Sequence, residues 1–345
     1  MNALDGRTSE LGATNGSTNR TGPPTPRPGL AFGPIPSRRL GRSLGINNIP
    51  FKKCSYSCLY CQVGATTERV ILPREFYPPE LVFDAVSDHL HLVRERGETV
   101  DFLTFAPDGE PTLDAHLGDT IRLLRALGVP IAVFTNSSLL WRADVRAALA
   151  GADWVSVKVD AATDEIWRAV DRPHPSLDLD TVKEGLMVFA RELPGTLVSE
   201  TMLVDGINDS PESVADVGAL LREIRPQTAY LAIPTRPTPY AEITAPDEDA
   251  VNRAYQVLIE YVPRVECLIG YEGDAFASTG DAAADLLSIT AVQPMRASAV
   301  DHLLERDGGT WDVVAALVER GDVAEVAYRG ERYFVRRWRG KSPAG

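Results

Sequence analysis

Residues 43–62 read SLGINNIPFKKCSYSCLYCQ: a short apolar strand, then a loop with three cysteines in eight residues, Cys54, Cys58 and Cys61. The chain holds four cysteines in 345 residues, and the fourth, Cys267, stands far away in sequence. A disulfide framework needs an even, dispersed set, so this spacing excludes one. Three thiolates from one short loop can each hold one iron of a cubane cluster, leaving the fourth iron open. A structural zinc site is the alternative, but it takes four ligands, commonly paired C-x2-C knuckles or Cys/His pairs. No histidine lies closer to the loop than His89.

Outward from this loop, short apolar strands alternate with amphipathic helical patterns. Strands are predicted at 43–49, 100–105, 130–135, 154–159, 196–203 and 228–233. Helical patterns fall at 79–95, 113–127, 143–150, 179–193 and 210–224. Repeated βα units predict an α/β fold with a parallel sheet covered by helices. Right-handed crossovers curl such a sheet into a partial (β/α)6 TIM-like barrel. The pattern loosens at GDAFASTGDAAAD, 273–285. Two helical patterns follow, at 295–306 and 310–320 with Thr310 as N-cap. The alternating VAEVAYRGERYFVRRW (323–338) then turns at Arg329-Gly330. Two helices and a hairpin predict a small C-terminal α+β winged-helix-like module. Residues 1–31 hold 19 Gly, Ser, Thr, Pro or Asn and read as a disordered N-terminal tail. The expected domains are therefore the tail at 1–31, a core at 32–284 and the module at 285–345.

Apolar residues make up 44% of the chain and charged residues 24%, enough to bury a sizeable core. No apolar run is long enough to span a bilayer, and no secretory leader is visible, so a cytoplasmic protein without a membrane partner is expected. The net charge is −13, which argues against a generic nucleic-acid coat. The charge is uneven. Residues 1–70 carry nine Lys/Arg against three Asp/Glu, and residues 329–345 carry six against one. Such basic ends are either solvated surface or a rim beside a site for an anionic substrate.

CSYSCLYCQ resembles the C-x3-C-x-aromatic-C loop of the radical S-adenosylmethionine (radical SAM) superfamily, with Tyr60 as the aromatic. The resemblance implies that Cys54, Cys58 and Cys61 hold a [4Fe-4S] cluster. It further implies that the amine and carboxylate of S-adenosyl-L-methionine (SAM) chelate the open iron. The implied activity is reductive cleavage of SAM, which starts radical chemistry on a substrate and draws electrons from a flavodoxin- or ferredoxin-type donor. The preceding GPIPSRRLGRSLGIN (33–47) resembles the uncharacterised Fe–S oxidoreductases related to the wyosine-tRNA synthesis enzymes. Those wyosine-forming relatives carry a further cysteine set that this chain lacks, so their specific activity is not expected.

In parallel barrels ligands bind at the carboxyl ends of the strands. In FAPDGEPTL (105–113), Gly109 and Glu110 resemble the element that meets the methionine amine of SAM, although Asp-Gly-Glu here replaces Gly-Gly-Glu. An ordinary strand-to-helix turn is the alternative. Thr135 and Asn136 end the third strand. Lys158 and Asp160 share a face of the fourth with Ser156, and either pair as a salt bridge or contact a ligand. Glu200 lies on the fifth strand. With Tyr60, these are the expected cofactor-binding residues; no catalytic residue is named. His174, in the proline-bounded DRPHPS, is a weaker substrate contact, and Cys267 reads as a buried cysteine.

Two other functions remain open. One is a tRNA- or RNA-modifying enzyme whose module grips phosphates through Arg329, Arg332, Arg336, Arg337, Arg339 and Lys341. Tyr333, Phe334 and Trp338 would then stack on bases. The same hairpin could instead dock its aromatics on the barrel as a lid. The second is a non-catalytic iron–sulfur electron carrier or sensor.

Overall fold

The computed structural model describes residues 29–66, 68–269, 280–292 and 294–337. Nearly all of the expected tail, residues 273–279 of the expected boundary, and Trp338, Arg339 and Lys341 lie outside these residues.

The chain enters through β1 (Ala31–Ser37) and β2 (Gly41–Ile46), followed by the two-residue strands β3 (Lys53–Cys54) and β4 (Glu68–Arg69). Helix α1 (Pro79–Glu95) leads to β5 (Phe102–Phe105), α2 (Leu117–Leu124) to β6 (Ile131–Thr135), and α3 (Ala143–Leu149) to β7 (Trp154–Lys158). Helices α4 (Asp164–Val170) and α5 (Leu179–Glu192) precede β8 (Thr196–Met202). Helix α6 (Pro211–Ile224) precedes β9 (Ala229–Ala232), and α7 (Glu248–Leu258) precedes β10 (Val265–Leu268). The main sheet has the order β1-β2-β5-β6-β7-β8-β9-β10, parallel throughout except for β1, which runs antiparallel to β2. It is the curled, incomplete barrel that the repeated βα pattern predicts.

All six predicted strands are present. Two more extend the sheet at its edges. Strand β1 contains Gly33, Pro34 and Pro36, which argue against a strand in a sheet interior. It is an edge strand, and its register shifts between Phe32 and Ile35, where these residues are tolerated. Strand β10 is only four residues long and half-buried along its length.

Alternation along the strands separates two environments. Leu103, Phe105, Ile131, Val133, Val155 and Val157 pack outward against Val86, Leu90, Leu117, Ile121, Leu186 and Phe189 of the helices. Each fully buried side chain of this size contributes about 1.5–3 kcal/mol. The intervening residues, among them Thr104, Phe134, Ser156 and Lys158, face the barrel interior. At its base, Leu40 from the β1–β2 turn packs against Ala132, Trp154, Val198 and Tyr230, all in the N-terminal halves of their strands.

Helices α8 (Ala282–Val292), α9 (Ala297–Asp307) and α10 (Trp311–Glu319) accompany a small sheet of β11 (Met295–Arg296), β12 (Val323–Tyr328) and β13 (Glu331–Arg336) in the order β11-β13-β12. Leu286, Ile289, Met295, Leu303, Val314, Leu317 and Phe334 form its own core, and Ile35 of β1 packs against that core. The β12–β13 hairpin closes on Arg329 (φ +51°) and Gly330 (φ +79°). Positive φ at both loop residues matches the right-handed twist of the flanking strands.

Candidate functional site

The cysteine loop is held by backbone on every side. The Val70 amide donates to the Cys54 carbonyl (2.9 Å), Ser57 to Asp171 (3.0 Å), Leu59 to Val170 (2.9 Å), and Cys61 to Cys58 (3.2 Å). A loop fixed this way presents its thiols in one direction. Cys54, Cys58 and Cys61 are all free and line a cavity of about 390 Å³ in the barrel mouth. Tyr60, Gly109, Glu110, Thr135, Asn136, Lys158 and Glu200 line the same cavity. Asp160 does not. It sits behind, where it accepts hydrogen bonds from the Tyr60 hydroxyl and from the Met202 amide (2.7 Å). His174 is also away from the cavity, bound to the Ser176 amide (3.2 Å), while Cys267 is half-buried.

Each thiol has its own polar neighbour. Lys52 Nζ lies 3.1 Å from Cys61 Sγ, Asn136 Nδ2 lies 3.5 Å from Cys54 Sγ, and Cys58 Sγ donates to Asp171 Oδ1 at 3.2 Å. Burial, and then the Glu110 carboxylate, push the Cys54 thiol up to about 12; burial pushes Cys58 up as well. Bare thiolates are thus disfavoured here, and a bound metal centre would supply the positive charge that reverses this. Among the described residues, no three His, Cys, Asp or Glu side chains gather around a single-ion site. Three separate, unbridged thiols facing one cavity, with donors to two of the sulfurs, fit a polynuclear cluster bound one thiol per metal.

Glu110 is 1% exposed. Its Oε1 accepts from the Thr112 amide (3.2 Å), the Thr112 hydroxyl (2.6 Å) and the Thr135 hydroxyl (2.7 Å), and its Oε2 accepts from the Asn136 amide (2.7 Å). Both sequence readings meet in this residue: it caps a short 3-10 turn, Pro111–Leu113, and it lines the cavity. Burial raises its pKa, and the four donors work against that rise. Gly109 has a backbone neighbour. A Cβ there would lie 2.0 Å from the Lys53 carbonyl oxygen, so only glycine lets this loop close against the residue before Cys54. Asp108 is buried and bonded to Asn47 Nδ2 (3.0 Å); burial lifts its pKa to about 7, against the pull of Asn47 and of Lys52.

Lys158 and Glu200 are register partners on β7 and β8, with Nζ 2.9 Å from Oε1. The second oxygen of Glu200 accepts from Arg39, which enters from the β1–β2 turn. Burial opposes the Glu200 charge, yet Lys158 and Arg39 hold its pKa down at about 2. Sequence reasoning missed Arg39. It lies in the quoted SRRLGRS, but nothing local shows that a turn before the first barrel strand folds back into the barrel. Lys52 was missed as well; Arg236, expected at the end of the sixth strand, lines the cavity, and its Nη1 donates to Gln62 Oε1 (3.0 Å), beside Cys61.

The C-terminal hairpin faces the barrel. The Tyr328 hydroxyl donates to the Pro234 carbonyl (3.2 Å) and that of Tyr333 to the Thr235 carbonyl (3.1 Å); both receiving residues line the cavity. Tyr333 and Phe334 are each 1% exposed. Arg332 is paired with Glu325 (2.7 Å). Arg336 is close enough to Asp108 for their charges to act on each other. Among the described residues, no helix is long and apolar enough to cross a membrane.

A family model described as the radical SAM superfamily matches residues 48–217. UPF0026 protein MJ1312 of Methanocaldococcus jannaschii is 39% identical over 309 residues, covering 89% of this chain and 96% of that protein. A UPF0026 protein of Helicobacter pylori is 33% identical over 218 residues, 62% of this chain and 68% of its own length. Among solved structures, a radical SAM methyltransferase from Sphaerobacter thermophilus aligns with a TM-score of 0.50 at 18% identity, over 66% of each chain. A structure of TYW1 with a lysine–pyruvate adduct aligns with a TM-score of 0.50 at 15% identity, over 64% of this chain and 74% of that one. At these identities the two structures establish the shared barrel and nothing more. The family model and the UPF0026 relatives establish more: the chain belongs to the UPF0026 family, within the radical SAM superfamily of enzymes whose cofactors are a [4Fe-4S] cluster and S-adenosylmethionine.

Proposed function

We propose that Cys54, Cys58 and Cys61 hold the cluster and that the protein cleaves SAM reductively to begin radical chemistry on a substrate in the barrel. The observation that carries this reading is the convergence of three free thiols and the Glu110–Thr135–Asn136 rim on one cavity. When bound, the cluster and SAM together supply the 5′-deoxyadenosyl radical that abstracts hydrogen. The chain's own residues do the rest. Glu110, fixed by Thr112, Thr135 and Asn136, offers a carboxylate to the N–H groups of the cofactor's amine. Lys52 and Asn136 donate toward sulfurs, which tunes the charge they carry. Tyr60 packs under Lys158, whose Nζ is 4.9 Å from the ring centre, and ties the cysteine loop to Asp160.

We read residues 32–284 as the catalytic domain and 285–345 as a lid that walls the mouth. The hydrogen bonds of Tyr328 and Tyr333 to Pro234 and Thr235 favour the lid over an RNA grip, since Tyr333 and Phe334, two of the aromatics that would stack on bases, are buried. A low-potential donor of flavodoxin or ferredoxin type supplies the electron. The test is anaerobic reconstitution with SAM and a chemical reductant. The reading requires a SAM-dependent change in the reduced cluster's EPR signal and formation of 5′-deoxyadenosine. A cluster whose signal ignores SAM would instead mark an electron carrier or sensor.

A further inference from the structure

The floor of the cavity carries a cation with too little to bind. Arg39 projects from the β1–β2 turn with its side chain 13% exposed. Its guanidinium carbon lies 4.6 Å from the ring centre of Phe134 and 5.6 Å from that of Tyr230, which fixes the plane of the group. Nη1 donates to Glu200 Oε2. Among the described residues, Nε and Nη2 have no hydrogen-bond partner. Glu200 is itself divided, because its other oxygen belongs to Lys158. Among the described residues, Lys158 has a further anion within electrostatic reach, Asp160 on the cluster side, whereas Arg39 has its share of Glu200 alone. A buried charge is costly unless paired, and an arginine pairs best with a planar or tetrahedral oxyanion that takes two of its donors.

We propose that Arg39 anchors an oxyanion, a carboxylate or a phosphate, on the non-reacting end of the substrate. This names the substrate class for the site above and rests on that reading of the cavity. The anion is distinct from the carboxylate of SAM, which that reading assigns to the open iron. Between the cysteine loop and Arg39 stand Tyr60, Lys158 and Glu200 in succession. Polar groups for the rest of a small substrate line the same walls: the paired hydroxyls of Ser43 and Thr104 (2.6 Å apart), and Ser156.

The experiment is calorimetric titration of the oxidised holoenzyme, before SAM is added, with inorganic phosphate and, separately, with acetate at fixed ionic strength. The Arg39 variants leave the cysteine loop unchanged, so an anion bound at the cluster gives the same isotherm in wild type and variant. One of the two anions should saturate the wild type, and Arg39→Gln should weaken that binding on the order of tenfold or more. The preferred anion separates a phosphorylated substrate from a carboxylic acid. Arg39→Lys keeps the cation but not the fork, so it should also bind more weakly; it serves as the readout if the Gln variant does not fold. Equal affinity in wild type and a folded Arg39 variant, or no saturable binding of either anion to the wild type, overturns the proposal. Failure of SAM to alter the wild-type EPR signal counts against the cofactor reading instead, and the titration, made without SAM, still decides Arg39.

Discussion

Replacing Glu200 by Gln removes the one carboxylate that bridges two buried cations. Glu200 is 13% exposed, and Lys158 and Arg39 hold its pKa at about 2, against a reference of 4.5. At 1.36 kcal/mol per unit, that depression corresponds to about 3 kcal/mol of folding free energy at neutral pH. The sign follows from the direction of the shift. A carboxylate whose folded pKa is depressed contributes fully above its unfolded value, and the contribution fades as pH falls through 4.5 toward 2. The variant should therefore be about 3 kcal/mol less stable than wild type at pH 7, and the gap should narrow steadily below pH 4.5. Urea denaturation of the apoprotein, followed by far-UV circular dichroism, measures both quantities. The double variant Glu200→Gln/Arg39→Gln should lose less than the sum of the two single losses, because the second removal relieves a charge the first left unpaired. A gap below 1 kcal/mol at pH 7, a gap unchanged at pH 3, or strict additivity would refute the argument.

Anaerobically reconstituted wild type should hold about four irons per chain. Cys54→Ala, Cys58→Ala and Cys61→Ala should each lose the intact cluster, whereas Cys267→Ser should keep it; iron analysis with EPR decides, and a Cys267→Ser protein without cluster sinks the three-ligand assignment. Glu110→Gln keeps the shape of a side chain that braces Thr135 and Asn136, so it should spare the cluster. It should weaken SAM binding by roughly ten- to a hundredfold, the loss of a charge-assisted hydrogen bond; wild-type affinity by calorimetry would remove Glu110 from the cofactor site. Gly109→Ala places a Cβ 2.0 Å from the Lys53 carbonyl oxygen. Forcing that backbone apart should cost about 1–3 kcal/mol in thermal stability and loosen the cluster, and an unshifted melting temperature would contradict the packing argument.

The strands that carry the site were legible because each is a continuous apolar run between helical patterns, and alternation alone put Ser156 and Lys158 on one face and Val155 and Val157 on the other. The cysteine loop was legible for a different reason: its chemistry is written in spacing. Strand β1 was not, because Gly33, Pro34 and Pro36 speak against a strand, and only its place at the sheet edge excuses them. With β1 went the turn behind it, and with the turn went Arg39. Its position comes from a hairpin folding under the barrel, a contact between residues 161 apart in sequence. The pairing of Lys158 with Glu200 likewise required the register of β7 against β8, which periodicity does not supply. Glu110 was picked out for its carboxylate, while its bracing of Thr135 and Asn136 became visible only once β5 and β6 lay side by side.

Leu40, seated among Ala132, Trp154, Val198 and Tyr230, stoppers the barrel from below. A vessel closed at its base fills from the bottom upward. Whatever rests on the Arg39 floor must pass the cysteine loop on its way down, and SAM bound beside that loop then stands over it. If Arg39 anchors the substrate and SAM binds beside the cysteine loop, the architecture imposes a sequence on turnover: the floor ligand loads first and SAM second, and departure runs in reverse. Steady-state kinetics should show compulsory order, with a dead-end floor ligand competitive toward substrate and without effect on the slope against SAM once substrate saturates. Random-order kinetics would mean that a second entrance exists.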